Sequence, residues 1–163
     1  MKTLYILRHG KSSWANQNVD DFDRVLLTEG IERTQSIASF LSSNLAKIDL
    51  IISSPAKRAL QTAKIISSNL GCKLTENSNL YPSHSSRIAN IIGSQHSSIQ
   101  NLMIVGHNPG LTEFVSEYFD STIDWLPTSG LAQASFKIEN WNEISLNTIS
   151  ISSLLFTSPK TLL

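Results

Sequence analysis

An apolar run near the amino end, Thr3-Leu4-Tyr5-Ile6-Leu7, stops abruptly on Arg8-His9-Gly10, and this junction constrains the fold more than any other stretch. Leu, Tyr, Ile and Leu in succession, without polar alternation, predict a strand covered on both faces, the mark of a central parallel strand in an α/β sheet. Open α/β sheets gather their ligands beyond the carboxyl ends of the strands, so Arg8 and His9 arrive together at the expected site edge. Gly10, with no Cβ, permits a sharp turn or a close approach to a ligand. Taken alone, the tripeptide is equally a strand end carrying a surface Arg and His before a turn.

Two further strands end in the same manner. Asp49-Leu50-Ile51-Ile52-Ser53 reads as buried, and Ser54-Pro55 then opens a helix, with the serine as cap and the proline at the first helical position. Ala56, Ala59, Leu60, Ala63, Ile66 and Leu70 make one stripe down that helix, and Gly71 stops it. Arg58 falls on its first turn, near the strand end, unless it simply faces solvent. Asn101 to Val105 is the third strong strand and runs into Gly106-His107-Asn108-Pro109-Gly110, where Asn108 and Pro109 repeat the capping logic. Leu111, Phe114, Val115, Tyr118 and Phe119 form the face of the helix that follows. His107 therefore precedes a helix amino terminus, a position suited to anions, although a histidine there equally serves to hold a turn.

Between these junctions, Ser12 to Leu27 is a polar, acidic loop whose position favours function; the alternative is a loop tied by its own Asp-Arg pairs. Thr28 is the expected cap of a helix running to about Leu45 on Ile37, Ala38 and Leu41. Residues 72 to 75 read as a short strand, Tyr81-Pro82 as a break, Arg87 to Ile92 as a short helix, and His84 and His96 as polar groups in or near this region. After a loop from Thr122 to Gly130, Leu131 to Ile138 alternates like a half-covered strand. Asn140 to Glu143 reads as a turn with Trp141 plugging the core edge, and Thr148 to Phe156 as a last strand before a peripheral tail, Thr157 to Leu163. Two late strands around a polar turn imply an antiparallel addition to a mostly parallel sheet.

Size and charge exclude several functions. The 163 residues suffice for one domain, 1–163, with a core that needs neither disulfide nor structural metal. Thirteen basic and thirteen acidic residues cancel, which removes any global attraction to nucleic acid or an anionic membrane. Cys72 is the lone cysteine, so no disulfide framework or cysteine-cluster metal site exists. No secretory signal or bilayer-length run is readable, and the expectation is a cytoplasmic chain.

The three strand ends offer Arg8 with His9, Arg58 and His107. If right-handed crossovers bring these ends to one side, two guanidinium groups can hold the non-bridging oxygens of a phosphoryl group. His107 adds a donor, and His9 is left to attack phosphorus. A metal hydrolase fits poorly, because the histidines lack an acidic ligand pattern and the arginines oppose a cation. Ser12 and Ser13 lack the Gly-x-Ser-x-Gly elbow of a nucleophilic serine.

The ordered motifs Leu7-Arg8-His9-Gly10-Lys11-Ser12-Ser13-Trp14, Asp21-Phe22-Asp23-Arg24 with Leu27-Thr28 and Gly30, Ser53-Ser54-Pro55 through Arg58 with Gln61-Thr62-Ala63, and Val105 to Gly110 resemble the histidine phosphatase superfamily. This is also called the phosphoglycerate-mutase-like family, and the likeness within it is to SixA-type phosphohistidine phosphatases. The resemblance covers nearly the whole chain, including Pro127-Thr128-Ser129-Gly130 and Trp141. It implies a three-layer α/β/α fold with a mostly parallel central sheet and a late antiparallel strand. It also implies a phosphatase without cofactor or metal, in which His9 accepts the phosphoryl group and Arg8, Arg58 and His107 bind it. The expected partner is a protein carrying phosphohistidine or a small phosphorylated molecule. Where many SixA-like sequences carry an acidic residue after Leu-Tyr, Leu80-Tyr81 is followed by Pro82-Ser83. The general acid is thus unassigned, neither Glu76 nor His84 being identifiable as one. Lack of an evident acid favours N-linked phosphoryl groups, whose leaving imidazole takes a proton from solvent near neutral pH. Alternatives are a small-molecule phosphomonoesterase, a mutase, disfavoured by the little chain available for a lid, and a non-enzymatic phosphate-binding or interaction module.

Overall fold

In the computed structural model, which describes residues 1–155, the first strand, β1 (Lys2–Arg8), sends Leu4 and Ile6 to one face of a sheet and Tyr5 and Leu7 to the other. Both faces are covered, which is why the run carries no polar alternation. Each such fully buried side chain contributes about 1.5–3 kcal/mol of transfer free energy.

The chain continues through α1 (Thr28–Ser43), β2 (Leu50–Ser53), α2 (Lys57–Leu70), β3 (Lys73–Glu76), α3 (Ser85–Gly93), β4 (Asn101–Gly106), α4 (Gly110–Tyr118), β5 (Leu131–Phe136) and β6 (Ile149–Leu155). The six strands lie in the order β3-β2-β4-β1-β5-β6. The pairs β3-β2, β2-β4 and β4-β1 are parallel, and β5 is antiparallel to both β1 and β6. Ile37, Ala38 and Leu41 of α1 and Ala59, Ala63 and Ile66 of α2 pack on the Tyr5 and Leu7 face. Ile88, Ile91 and Ile92 of α3, Phe114 and Val115 of α4, and Trp141 pack on the Leu4 and Ile6 face. The result is the three-layer α/β/α architecture with a late antiparallel strand that the family resemblance implies.

Two features position the site. β1 and β2 are not neighbours, since β4 lies between them, with Leu7 opposite Val105 and Ser53 opposite Val105 on its two sides. The carboxyl ends of the three strands are thus level, and β4 delivers His107 between the other two.

The connection after β1 also packs very closely on α1. A Cβ on Gly30 would lie 2.1 Å from the Lys11 carbonyl oxygen, and one on Gly10 would lie 2.8 Å from the Gly30 carbonyl oxygen. The packing of this connection against α1 therefore requires glycine at position 10.

Local boundaries differ where polar side chains have other work. Helix α2 begins at Lys57, two residues after Pro55, with no side-chain cap at Ala56; the Ser54 hydroxyl instead accepts from Ala56 N–H at 3.2 Å and meets His107. Thr28 is the first residue of α1 and not its cap. That helix ends at Ser43, and Leu45 lies beyond it, exposed, with φ 53°. Helix α4 likewise begins at Gly110, with Pro109 and not Asn108 in the N-cap position and no side-chain cap; Asn108 Oδ1 instead accepts from Thr112 N–H and Oγ1. Gly71 does end α2, with φ 66°. Trp141 is fully buried, its indole N–H donating to the Ile99 carbonyl at 2.9 Å. Phe156 and the expected tail from Thr157 to Leu163 lie outside the described residues.

Candidate active site

His9 is the first residue after β1 and is 6% exposed. Its Nδ1 lies 2.7 Å from the carbonyl oxygen of Gly10. A carbonyl only accepts, so Nδ1 carries the proton and Nε2 presents a lone pair. Arg58 Nε donates to that Nε2 at 3.3 Å. Burial, and next the Arg58 and Arg8 charges, push the imidazole down to about 3 against the opposing bond to Gly10; the ring is neutral at physiological pH.

Arg58, on the first turn of α2, is 5% exposed and does not face solvent. Its remaining donors bind Asp21: Nη1 the backbone carbonyl, and Nη2 the carboxylate Oδ2 at 3.0 Å. Thr62, one turn further along α2, donates to the Arg58 carbonyl at 2.7 Å and accepts from Gly10 N–H at 3.0 Å. A single hydroxyl therefore ties the His9 loop to the Arg58 helix.

His107 follows β4, its ring centroid 5.1 Å from that of His9. Its Nε2 is 2.7 Å from Ser54 Oγ, and burial, followed by His9 and Arg58, pushes its pKa down to about 3. Arg8 donates from Nη1 to the Leu126 carbonyl at 2.9 Å. Among the described residues, Arg8 Nε and His107 Nδ1 are buried polar atoms with no hydrogen-bond partner, a costly arrangement in a resting protein and a common one where an acceptor is to be bound.

Arg8, His9, Arg58 and His107 line one open cleft of about 400 Å³ together with Lys11, Asp21, Arg24, Trp14 and Trp125. All four residues singled out in the sequence therefore meet. A larger depression of about 540 Å³, lined by Tyr5, Phe40, Leu41 and Lys47 among others, holds no comparable group of ionisable side chains. Among the described residues no group of three or more His, Cys, Asp or Glu is placed to hold a metal ion.

Sequence reasoning missed the part that Asp21 and Tyr81 play. Asp21 joins both alternatives for the acidic loop, pairing with Arg24 at 2.8 Å within the loop and with Arg58 across the cleft. The Tyr81 hydroxyl donates to Asp21 Oδ2 at 2.6 Å, and its ring meets His107 edge-on at 5.3 Å. Partial burial works to raise the Asp21 pKa, but bonds from Tyr81, Arg24 and Arg58 outweigh it and hold the carboxyl well below the usual range. The only signal in the sequence was the placing of acidic residues after a site strand. Glu76 and His84 are both exposed, and neither lines the cleft.

Comparison with known proteins places these residues in context. The family model for the histidine phosphatase superfamily, branch 1, matches residues 4–84, a span holding Arg8, His9 and Arg58. An uncharacterised chloroplast protein of Arabidopsis thaliana is 30% identical over 154 residues, covering 87% of this chain and 70% of that protein. The crystal structure of an Agrobacterium tumefaciens protein, provisionally named phosphohistidine phosphatase SixA, matches with a TM-score of 0.75 and 30% identity over 82% of this chain and 91% of that one. A structure of the protein histidine phosphatase SixA complexed with tungstate shares the fold, at a TM-score of 0.76 and 18% identity over 93% of this chain and 96% of that one.

Proposed function

The chain belongs to the histidine phosphatase superfamily, and from that premise we propose that it is a metal-independent phosphohistidine phosphatase working through a covalent phosphoryl group on His9. The observation that carries this reading is the state of His9: neutral, protonated on Nδ1 by its bond to Gly10, with Nε2 bare and facing Arg58. A nucleophile needs that unprotonated nitrogen.

The Nε2 lone pair attacks phosphorus in line, and the bond from phosphorus to the leaving nitrogen breaks, its electron pair going to that nitrogen, which takes a proton from solvent. Water then attacks the same phosphorus and the bond to Nε2 breaks. Its pair returns to His9, one water proton passes to solvent, and inorganic phosphate leaves. Arg58 and Arg8 bind the phosphoryl oxygens and stabilise the charge they carry in the transition state. With the Ser54 hydroxyl as donor to Nε2 of His107, 2.7 Å away, His107 would carry its proton on Nδ1 and offer it to the same group. Arg58 must give up part of its hold on Asp21 to do this, and the Tyr81 and Arg24 bonds keep the freed carboxylate in place.

Asp21 is the carboxylate nearest the chemistry, but it is ionised and so is no proton donor at neutral pH. That supports substrates whose leaving group needs little acid help, as an imidazole does, over alkyl esters.

The reading is tested by rapid quench with a phosphohistidine substrate and with alkyl phosphomonoesters, with and without chelator. Acid-labile phosphate on His9, absent in His9→Ala and indifferent to chelator, is expected. Turnover retained in His9→Ala would remove the assigned nucleophile, and tungstate binding without any turnover would leave a phosphate-binding module instead.

A further inference from the structure

Two large aromatic side chains in the cleft have no part in holding a phosphoryl group. Trp14 is 74% exposed and Trp125 55% exposed, and both line the cleft from different loops. Side chains of this size are usually mostly buried, and their exposure around a polar site marks a recognition surface. Each indole also rests one face on an arginine of the same cleft. The Arg24 guanidinium carbon lies 3.2 Å from the Trp14 ring centroid, and that of Arg8 5.5 Å from Trp125. Arg24 is itself 8% exposed and is fixed by bonds to the Ser13 carbonyl, Asp21 Oδ1 and Ser12 Oγ at 2.8, 2.8 and 2.6 Å. Trp14 is thus seated on a fixed cation, and its use as a contact surface demands little further ordering.

Direction decides what such a surface meets. In-line displacement sets the leaving group opposite the attacking Nε2. His9 is buried and both indoles are exposed in the same cleft, so a leaving group that departs from His9 toward solvent passes the indoles.

We infer that Trp14 and Trp125 are specificity-determining residues that frame the leaving imidazole of phosphohistidine, an inference that rests on the phosphatase reading above. A flat heteroaromatic ring has a face to stack on indole, and the ring becomes a still better partner if it gains a proton on departure. An alkyl or amino leaving group has no such face. The ligand class is therefore an N-linked phosphoryl group on an aromatic ring.

The test compares kcat/KM for phosphohistidine and for phosphoramidate, a ring-free compound with the same phosphorus–nitrogen bond, on the same preparations of the unaltered protein and of Trp14→Ala, Trp14→Phe, Trp125→Ala and Trp125→Phe. The ratio of the two constants is expected to fall roughly five- to tenfold in each alanine variant, the size of one aromatic pairing, and to recover in the phenylalanine variants. A general disturbance through Arg8 or Arg24 lowers both constants together and leaves the ratio alone. A ratio within twofold of the unaltered protein in both alanine variants overturns the inference, while the phosphatase reading stands. Turnover of neither substrate by the unaltered protein overturns both.

Discussion

His9 owes its chemistry to one short bond made to its own neighbour. Because Nδ1 donates to the carbonyl of the next residue, the tautomer is fixed within the Arg8-His9-Gly10 tripeptide and needs no distant partner. Long-range nitrogen–proton correlation at neutral pH should show His9 protonated on Nδ1 and bare on Nε2; the opposite tautomer would remove the proposed nucleophile. Arg58 has a different economy, since its donors point in three directions, to His9, to the Asp21 carbonyl and to the Asp21 carboxylate. Lysine has one cationic centre and cannot reproduce that fork. Arg58→Lys should therefore lower kcat/KM roughly a hundredfold, about 2.7 kcal/mol of transition-state stabilisation, and a loss under threefold would show that charge alone suffices. That Arg8, His9, Arg58 and His107 would converge on one cleft was legible because each stands at or just past a strand end. The Asp21–Tyr81 bond was not, because it joins loops that nothing in the local sequence relates. Ser54 was legible as a polar residue at a junction and misread as a helix cap, since its contact with His107 depends on β4 lying beside β2.

At the level of whole elements, the junction between β1 and α1 turns on Gly30. On helix propensity alone, alanine in place of a glycine in the first turn of a helix stabilises by at most about 1 kcal/mol, the helix-interior figure. Here the added Cβ would stand 2.1 Å from a backbone oxygen of Lys11, and overpacking against backbone costs about 1–3 kcal/mol. The close contact decides the sign, so Gly30→Ala should lower the urea midpoint. Gly93 is the control: its Cβ would meet nothing nearer than Asn142 at 3.6 Å, and Gly93→Ala should leave stability equal or slightly higher. Loss in neither variant would mean that the Lys11 backbone yields. Thr62→Val tests the other tie, deleting the hydroxyl that joins the Gly10 amide to the Arg58 carbonyl while keeping volume; a loss of about 1–3 kcal/mol is expected from the unpaired buried amide. The strands and most helices were legible because hydrophobic periodicity follows directly from which face is covered. Strand order was not, since β4 inserts between β1 and β2 through a pairing that no local pattern records.

Taken as a whole molecule, the protein keeps two imidazoles neutral where the unfolded chain would let them titrate, and that links its stability to pH. His9 and His107 are pushed down to about 3 in the folded state, first by burial and then by neighbouring positive charge and each other, against about 6.5 when unfolded. Between those values the unfolded state binds more protons, so stability falls as pH falls. The full contribution is present above about pH 6.5 and drains away toward pH 3, at up to about 1.4 kcal/mol per pH unit for each histidine. Asp21 acts in the same direction at lower pH, because its depressed pKa makes protonation cost stability only below the ordinary aspartate range. The two regimes are separable: the loss between pH 6.5 and 5 belongs to the imidazoles, and the loss below about pH 4 includes the carboxylate. Urea midpoints measured at pH 7, 6 and 5 should decline steadily in the unaltered protein. His107→Asn removes one of the two proton-linked groups and should make that decline visibly shallower, whatever its effect at pH 7. Parallel declines in the two proteins would mean that His107 gains its proton without unfolding, and the picture of a buried, neutral His9–His107 pair beside Arg8 and Arg58 would have to be given up.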